Sequence, residues 1–194
     1  MGDFSQNGII ANLHDFSTKE TEKIENELVK FSKIHKMELI LPCLYSELER
    51  PALTNIVNEL NKVEYINHII IGLDSADKKQ AINAWKFFSQ LSIPFSILWN
   101  DGPKLKKLHK ELEKKGLSPK EKGKGRNVWY CLGYAIARGE AISIALHDCD
   151  IKTYDKRLLA KLFYPVSNPS FNFEFCKGYY PRVADFKMNG RVAR

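Results

Sequence analysis

The chain has 194 residues, of which 44% are hydrophobic and 27% charged, so it is long enough and apolar enough for a globular domain with a sizeable core. No apolar run is long enough to cross a bilayer, and the N-terminal residues lack the basic and apolar regions of a secretory signal. The formal net charge of +7 allows nucleic acid, an anionic membrane surface or a phosphorylated small molecule as a partner.

The distribution of the charge favours the small molecule. Basic residues outnumber acidic ones between residues 104 and 126, but aromatic residues are not interleaved with them and no nucleic-acid recognition motif is present. The four cysteines lie far apart in the sequence without a Cys-x-x-Cys pair, which argues against a zinc site or a disulfide framework and fits a reducing cytosol. We therefore expect a cytoplasmic protein that binds neither nucleic acid nor membrane.

Taken in chain order, the periodicity predicts an amphipathic helix over residues 18–36, followed by strands and helices in alternation. The first strand begins at Met37 and stops at Pro42, and the next three are predicted at 68–73, 95–99 and 142–146. Helices are predicted at 52–62, 78–91, 104–115 and 127–138, with loops at 45–51 and 119–125. Beyond these, residues 158–162 read as a helix that ends near Pro165, and residues 171–180 read as strand-like.

Four alternations of strand and helix predict an α/β domain with a mainly parallel, Rossmann-like sheet and helices on both faces. We expect residues 1–36 to form an N-terminal extension and residues 37–194 to form the nucleotide-binding domain. Polar residues follow each predicted strand, namely Glu47, then Asp74 and Ser75, then Asn100 and Asp101, then Asp148 and Asp150. Ligands of open α/β sheets bind at this edge.

The strongest local signal is the pair Asp148 and Asp150, one residue apart after a buried strand. Two carboxylates there suit Mg²⁺ or Mn²⁺ bridging a diphosphate, although an aspartate at a strand end is also a common turn former. His147 is a candidate ligand or acid, but alternation along a strand predicts that its side chain points away from that of Asp148.

A second signal is the segment Gly-Lys-Gly at residues 123–125, which stands before a helix and can attract phosphate. It is neither a P-loop nor a dinucleotide fingerprint, and a flexible linker is the alternative interpretation.

Six ordered blocks carry a resemblance to a known family. They are Leu-Pro-Cys-Leu-Tyr-Ser-Glu at 41–47, Leu-Asp-Ser at 73–75, Gly-Lys-Gly at 123–125, Asp-Cys-Asp at 148–150, Lys-Gly-Tyr-Tyr-Pro-Arg-Val at 177–183 and Gly-Arg-Val at 190–192. In this order they resemble the retaining GT-A glycosyltransferases that make glucosyl-3-phosphoglycerate, whose neighbours in function are the mannosyl-3-phosphoglycerate and glucosylglycerate synthases. The resemblance runs from about residue 37 to the last residue.

The resemblance implies a GT-A fold and metal-dependent transfer of glucose, with retention, from a nucleoside-diphosphate-glucose to 3-phosphoglycerate. It implies that Asp150 ligates Mg²⁺ or Mn²⁺ and that Asp148 and Lys177 are catalytic. The donor would be bound by Pro42, Leu44, Glu47, Ser75, Lys124 and Asp148, and the acceptor by Tyr179, Gly190, Arg191 and Val192. A homodimer is left open.

Two departures from the family pattern limit these expectations. Ala193 stands where the family usually has threonine, so one hydroxyl contact to the acceptor is lost or replaced. The family also continues beyond this point and supplies a metal-binding histidine, which none of the five histidines here matches. We therefore expect the C-terminal part of the family fold to be missing. A non-catalytic paralogue that binds nucleotide sugar, mannosyl transfer and glycerate as acceptor stay open as alternatives, and the sequence does not name the base of the donor.

Overall fold

The computed structural model describes residues 10–13, 21–171, 173–178, 183–184 and 187–188. The strands are β1 (Ile10–Leu13), β2 (Met37–Leu44), β3 (His68–Asp74), β4 (Phe95–Trp99), β5 (Ser143–Leu146), β6 (Phe175–Gly178), β7 (Val183–Ala184) and β8 (Lys187–Met188). The helices are α1 (Thr21–Ser32), α2 (Pro51–Leu60), α3 (Lys78–Phe88), α4 (Pro103–Lys114), α5 (Lys124–Arg138) and α6 (Lys156–Ser167), and a 3₁₀ helix spans Tyr45–Glu49.

The centre of the structure is a parallel sheet in the order β4–β3–β2–β5. Both faces of the sheet are covered, which explains why β2 and β3 are nearly continuous apolar runs. Leu39 and Leu41 point into a large core, whereas Ile40, between them, packs on the opposite face beside Cys131 and Ala135 of α5. The predicted α/β class, with a parallel sheet and helices on both faces, is confirmed.

The prediction that the first strand stops at Pro42 is wrong, because β2 continues to Leu44 and Pro42 pairs with Gly72 of β3. On the other side of β2, pairing with β5 ends at Ile40, whose carbonyl accepts a hydrogen bond of 3.1 Å from the backbone N–H of His147. Backbone groups two residues apart face the same neighbour. An N–H at residue 42 would therefore be directed to the β5 side of β2, beyond the last paired residue of β5. Proline at this position thus removes no hydrogen bond between these two strands.

The bounds of other elements differ from the predictions as well, and α1, predicted at 18–36, spans Thr21–Ser32. The residues after Leu44 form the 3₁₀ helix rather than a loop, and α5 begins at Lys124, three residues earlier than predicted. Gly123 caps α5 with a φ of 147°, a conformation that favours glycine. Helix α6 extends to Ser167 with Pro165 inside it. Pro165 lies in the last turn, so the missing N–H removes only one hydrogen bond near the helix end.

The N-terminal part contributes to the same core. Leu28 of α1 is fully buried in the large core, and Glu25 forms an ion pair of 2.7 Å with Lys156 of α6. The unpredicted strand β1 pairs in parallel with β6. The division at residue 36 stays a prediction. In the described part of the chain, no helix is both long and apolar enough to span a membrane.

Candidate functional site

A cavity of about 280 Å³ opens at the carboxyl end of β2, between the loop after β5 and the start of α5. Its lining residues come from all the elements that meet at this edge, namely Pro42, Cys43, Leu44, Glu47, Asp74, Gly123, Lys124, Asn127, Asp148, Cys149 and Asp150. The structure thus brings together six of the predicted site residues, which are Pro42, Leu44, Glu47, Lys124, Asp148 and Asp150.

The charged centre of this cavity is an ion pair between the Lys124 ammonium and the Asp148 carboxylate. Lys124 lies in the first turn of α5, where backbone N–H groups lack partners within the helix and attract anions. Asp150 is exposed and makes no hydrogen bond or ion pair with another residue that the structure describes. The site therefore offers one lysine and a helix N-terminus for phosphate, and two carboxylates for a cation.

Glu47 supplies a third polar feature. Its side chain is buried, and one carboxylate oxygen pairs with Arg50 at 3.0 Å. The other oxygen, Oε2, is buried without a hydrogen-bond partner among the described residues. A buried carboxylate oxygen is costly to leave unpaired, so this atom is suited to accept a hydrogen bond from a ligand in the cavity.

The amino end of α5 is held against β3 by a contact that sequence reasoning missed. The Asn127 amide donates a hydrogen bond of 2.7 Å to the carbonyl of Gly72. A Cβ atom at Gly72 would lie 1.8 Å from Asn127 Oδ1 and 2.6 Å from Cys131 Sγ, so only glycine allows this approach. The signal was a glycine inside an otherwise apolar, buried strand, which often marks close packing of another backbone or side chain.

A second charged cluster lies at the ends of β3 and β4. Lys122 is 3.2 Å from Asp101 and 3.9 Å from the buried Asp74. Burial alone would raise the pKa of Asp101, but hydrogen bonds from Lys122 and from the backbone N–H of Ala76 lower it. Ser75 is exposed, adopts a φ of 57° and does not line the 280 Å³ cavity, although it follows the same sheet edge. Nothing in the sequence singled out Lys122 among its neighbouring lysines.

The remaining predicted site residues are not brought to this cavity. Lys177 lies on β6 and lines a different cavity, of about 600 Å³, between β5, α6 and β6. The predicted acceptor residues Tyr179, Gly190, Arg191 and Val192 lie outside the described residues. The catalytic role of Lys177 and the four acceptor roles stay predictions.

The metal site also stays a prediction. Within the described ranges, no three His, Cys, Asp or Glu side chains are grouped so that they could hold a metal ion. Mg²⁺ commonly takes only one or two carboxylates from a protein and its other ligands from phosphate and water. Asp148 and Asp150 thus fit a cation that binds together with a diphosphate.

Comparison with known proteins gives two close matches. The chain is 44% identical over all of its 194 residues to a glucosyl-3-phosphoglycerate synthase of Persephonella marina. It is 38% identical over 189 residues, 95% of its length, to a glucosyl-3-phosphoglycerate synthase of Methanococcoides burtonii. The chain resembles the glucosyl-3-phosphoglycerate synthases along its whole length. The resemblance predicted from the six blocks is confirmed.

The match covers only part of each relative. The chain spans about half the length of the curated relatives, 48% of the first and 46% of the second. No family model matches the chain, and no solved structure matches it either.

Proposed function

We propose that this chain is the nucleotide-sugar-binding part of a metal-dependent retaining glycosyltransferase that moves glucose from a nucleoside-diphosphate-glucose to 3-phosphoglycerate. The observation that carries the proposal is the 280 Å³ cavity, where residues of four separate sequence blocks meet at one edge of the sheet. The two relatives are both named glucosyl-3-phosphoglycerate synthases, which supports the same reaction.

Each side chain of the cavity has a role that its chemistry allows. Pro42 and Leu44 form an apolar wall for the nucleoside, and the unpaired Oε2 of Glu47 accepts a hydrogen bond from a ribose hydroxyl. Lys124 and the amino end of α5 bind the diphosphate. Asp148 and Asp150 would hold Mg²⁺ or Mn²⁺. When bound, the ion would neutralise charge on the departing diphosphate.

The ion pair between Lys124 and Asp148 couples the binding of the metal to the binding of the nucleoside diphosphate. In the absence of ligands each partner satisfies the charge of the other. A cation on Asp148 releases Lys124 to interact with phosphate, and a phosphate on Lys124 releases Asp148 to interact with the cation. Metal and nucleoside diphosphate should therefore strengthen each other's binding, as linkage between two sites requires.

A second candidate function is nucleotide-sugar binding without transfer. It is favoured by the position of Lys177, the predicted catalytic lysine, in another cavity. Mannosyl transfer and glycerate as the acceptor are variants of the first function.

The four cysteines are unpaired thiols, three of them buried, which supports the proposed cytoplasmic location.

Calorimetric titration of nucleoside diphosphate, with and without Mn²⁺, tests the proposal. Asp150→Asn should remove the increase in affinity that Mn²⁺ gives, since it removes one of the two carboxylates. Glu64→Gln is the matched control, because it also removes one exposed negative charge but lies before β3, at the other edge of the sheet. An Asp150→Asn protein with unchanged Mn²⁺ dependence would contradict the metal assignment.

Transfer assays then separate the candidates. Glucosyl product with 3-phosphoglycerate supports the first function, and the same assay with glycerate or with a mannose donor tests its variants. Metal-dependent binding of nucleoside diphosphate without any transfer supports the second.

A further inference from the structure

The four residues from 147 to 150 alternate between buried and more exposed positions. His147 and Cys149 are buried, with 5% and 3% of their surface exposed, whereas Asp150 is exposed and Asp148 partly so. Each carboxylate thus stands next to a buried neighbour. The positions of Asp148 and Asp150 depend on what holds those neighbours, because the segment itself has no regular secondary structure.

His147 is held by a tyrosine that closes the segment from its other end. Its Nδ1 atom is 2.9 Å from the hydroxyl of Tyr154, and the two rings meet edge to face at 5.3 Å. Tyr154 is 3% exposed, and its carbonyl accepts a hydrogen bond of 2.9 Å from the Asn55 amide of α2. The other imidazole nitrogen has no partner among the described residues. The Tyr154 hydroxyl is therefore the one hydrogen-bond partner that the structure gives this buried ring within its described part.

Cys149 is the second anchor. Its buried thiol is a neighbour of the Cys43 thiol on β2, and this neighbour together with burial raises the pKa of Cys149. The Cys43 thiol also donates to the carbonyl of Leu44 at 3.3 Å. Cys149, the residue between Asp148 and Asp150, thus packs against β2, the strand that carries Pro42 and Leu44.

We propose that His147 and Tyr154 are positioning residues, whose hydrogen bond closes residues 147–154 into a clamp that holds Asp148 and Asp150 at the cavity. Neither residue lines the 280 Å³ cavity. The effect on binding rests on the proposed function, whereas the clamp itself can be tested without it.

Two tyrosine variants test the clamp. Tyr154→Phe removes only the hydroxyl that His147 contacts and keeps the ring. Tyr130→Phe is the matched control, because Tyr130 of α5 is also buried and also pairs edge to face with a histidine, His109 of α4, through the same kind of hydrogen bond. That pair lies away from the carboxylates.

The first measurement is the rate of thiol labelling in the native protein, with the modified cysteine located by mass spectrometry. Cys149 and Cys131 are both buried and serve as references for each other. We expect Tyr154→Phe to accelerate labelling of Cys149 about tenfold and to leave Cys131 unchanged, since a looser clamp opens only its own segment. Tyr130→Phe should not accelerate Cys149. Equal acceleration of both thiols by Tyr154→Phe, or no acceleration, would overturn the clamp.

The second measurement is the affinity for nucleoside diphosphate with Mn²⁺. Tyr154→Phe should lose about tenfold of the metal-dependent affinity, whereas Tyr130→Phe should retain it. His147→Asn, which keeps a polar group near the position of Nδ1, should restore part of the affinity that His147→Leu loses. If the wild type shows no metal-dependent binding, the proposed function fails and the labelling rates alone decide on the clamp. If the wild type binds and Tyr154→Phe binds equally well, the positioning role fails while the function stands.

Discussion

Replacement of Gly72 by alanine tests whether close packing of α5 on β3 fixes the edge of the sheet that carries the cavity. The added Cβ would lie 1.8 Å from Asn127 Oδ1, so the Asn127 side chain must leave its place. Its 2.7 Å hydrogen bond to the Gly72 carbonyl is then broken, in a buried environment. The substitution therefore combines overpacking with the loss of a buried hydrogen bond.

The magnitude follows from these two terms. Overpacking of a core costs about 1–3 kcal/mol, and a buried polar group left without its partner costs about 1–3 kcal/mol. We expect Gly72→Ala to lower the free energy of unfolding by about 2–6 kcal/mol, a large part of the roughly 5–15 kcal/mol that a domain has. Urea unfolding followed by circular dichroism measures this change.

Two further variants make the test specific. Gly133→Ala, inside α5 with nothing within 4 Å of its added Cβ, should stabilise the protein by about 0.5–1 kcal/mol. Asn127→Ala should cost less in the Gly72→Ala background than in the wild type, because the clash is relieved. A loss below about 1 kcal/mol for Gly72→Ala, or additive effects of the two substitutions, would refute the packing argument.

Three other predictions follow from the site. Lys124→Ala should weaken nucleoside diphosphate binding about tenfold to a hundredfold and nucleoside binding much less, because a charge-assisted phosphate contact is lost. If calorimetry shows equal losses of affinity for both ligands, Lys124 only supports the fold. Burial lowers the pKa of His147 from 6.5 to about 4. Up to about 3 kcal/mol of the free energy of unfolding, fully present above pH 6.5, should therefore be lost as pH falls to 4. The free energy of unfolding of His147→Asn, measured at pH 7 and 5, should depend less on pH. Arg191→Lys should weaken binding of 3-phosphoglycerate but not of the donor nucleotide, since lysine keeps the charge and loses the planar fork; titration of each ligand checks this.

The elements of the sheet could be predicted because the two central strands, β2 and β3, are buried on both faces and are nearly continuous apolar runs, and the edge strands are also mainly apolar. Strand β4 was predicted with its observed bounds, and β3 and β5 to within one residue. The two prolines misled the prediction for a shared reason. Pro42 lies beyond the last residue of β2 that pairs with β5, and Pro165 lies near the end of α6, so the missing N–H costs little at either position. The sequence alone does not show where the pairing or the helix ends.

The candidate site was predicted as far as six of the residues that line it, but not the contacts that hold them. Asp148, Asp150, Lys124 and Glu47 follow strands or open a helix, and parallel strands bring such positions to one edge. The side-chain direction of His147 was also predicted correctly, from alternation alone. The hydrogen-bond partners of Asn127 and His147 were not predictable, because these contacts depend on how the side chains pack.

Two polar side chains that are buried near the cavity, those of Asn127 and His147, share a property that bears on function. The Asn127 amide donates a hydrogen bond of 2.7 Å to the carbonyl of Gly72, and His147 Nδ1 is 2.9 Å from the hydroxyl of Tyr154. A buried polar pair adds little net stability compared with a well-packed apolar pair, because the groups must first lose water. What such a pair does provide is one defined geometry, since any displacement leaves a buried group unpaired. One pair fixes the helix that carries Lys124, and the other fixes the segment that carries Asp148 and Asp150. The two sides of the charged centre are thus held by the kind of contact that specifies position, as the proposed binding of a diphosphate between them requires.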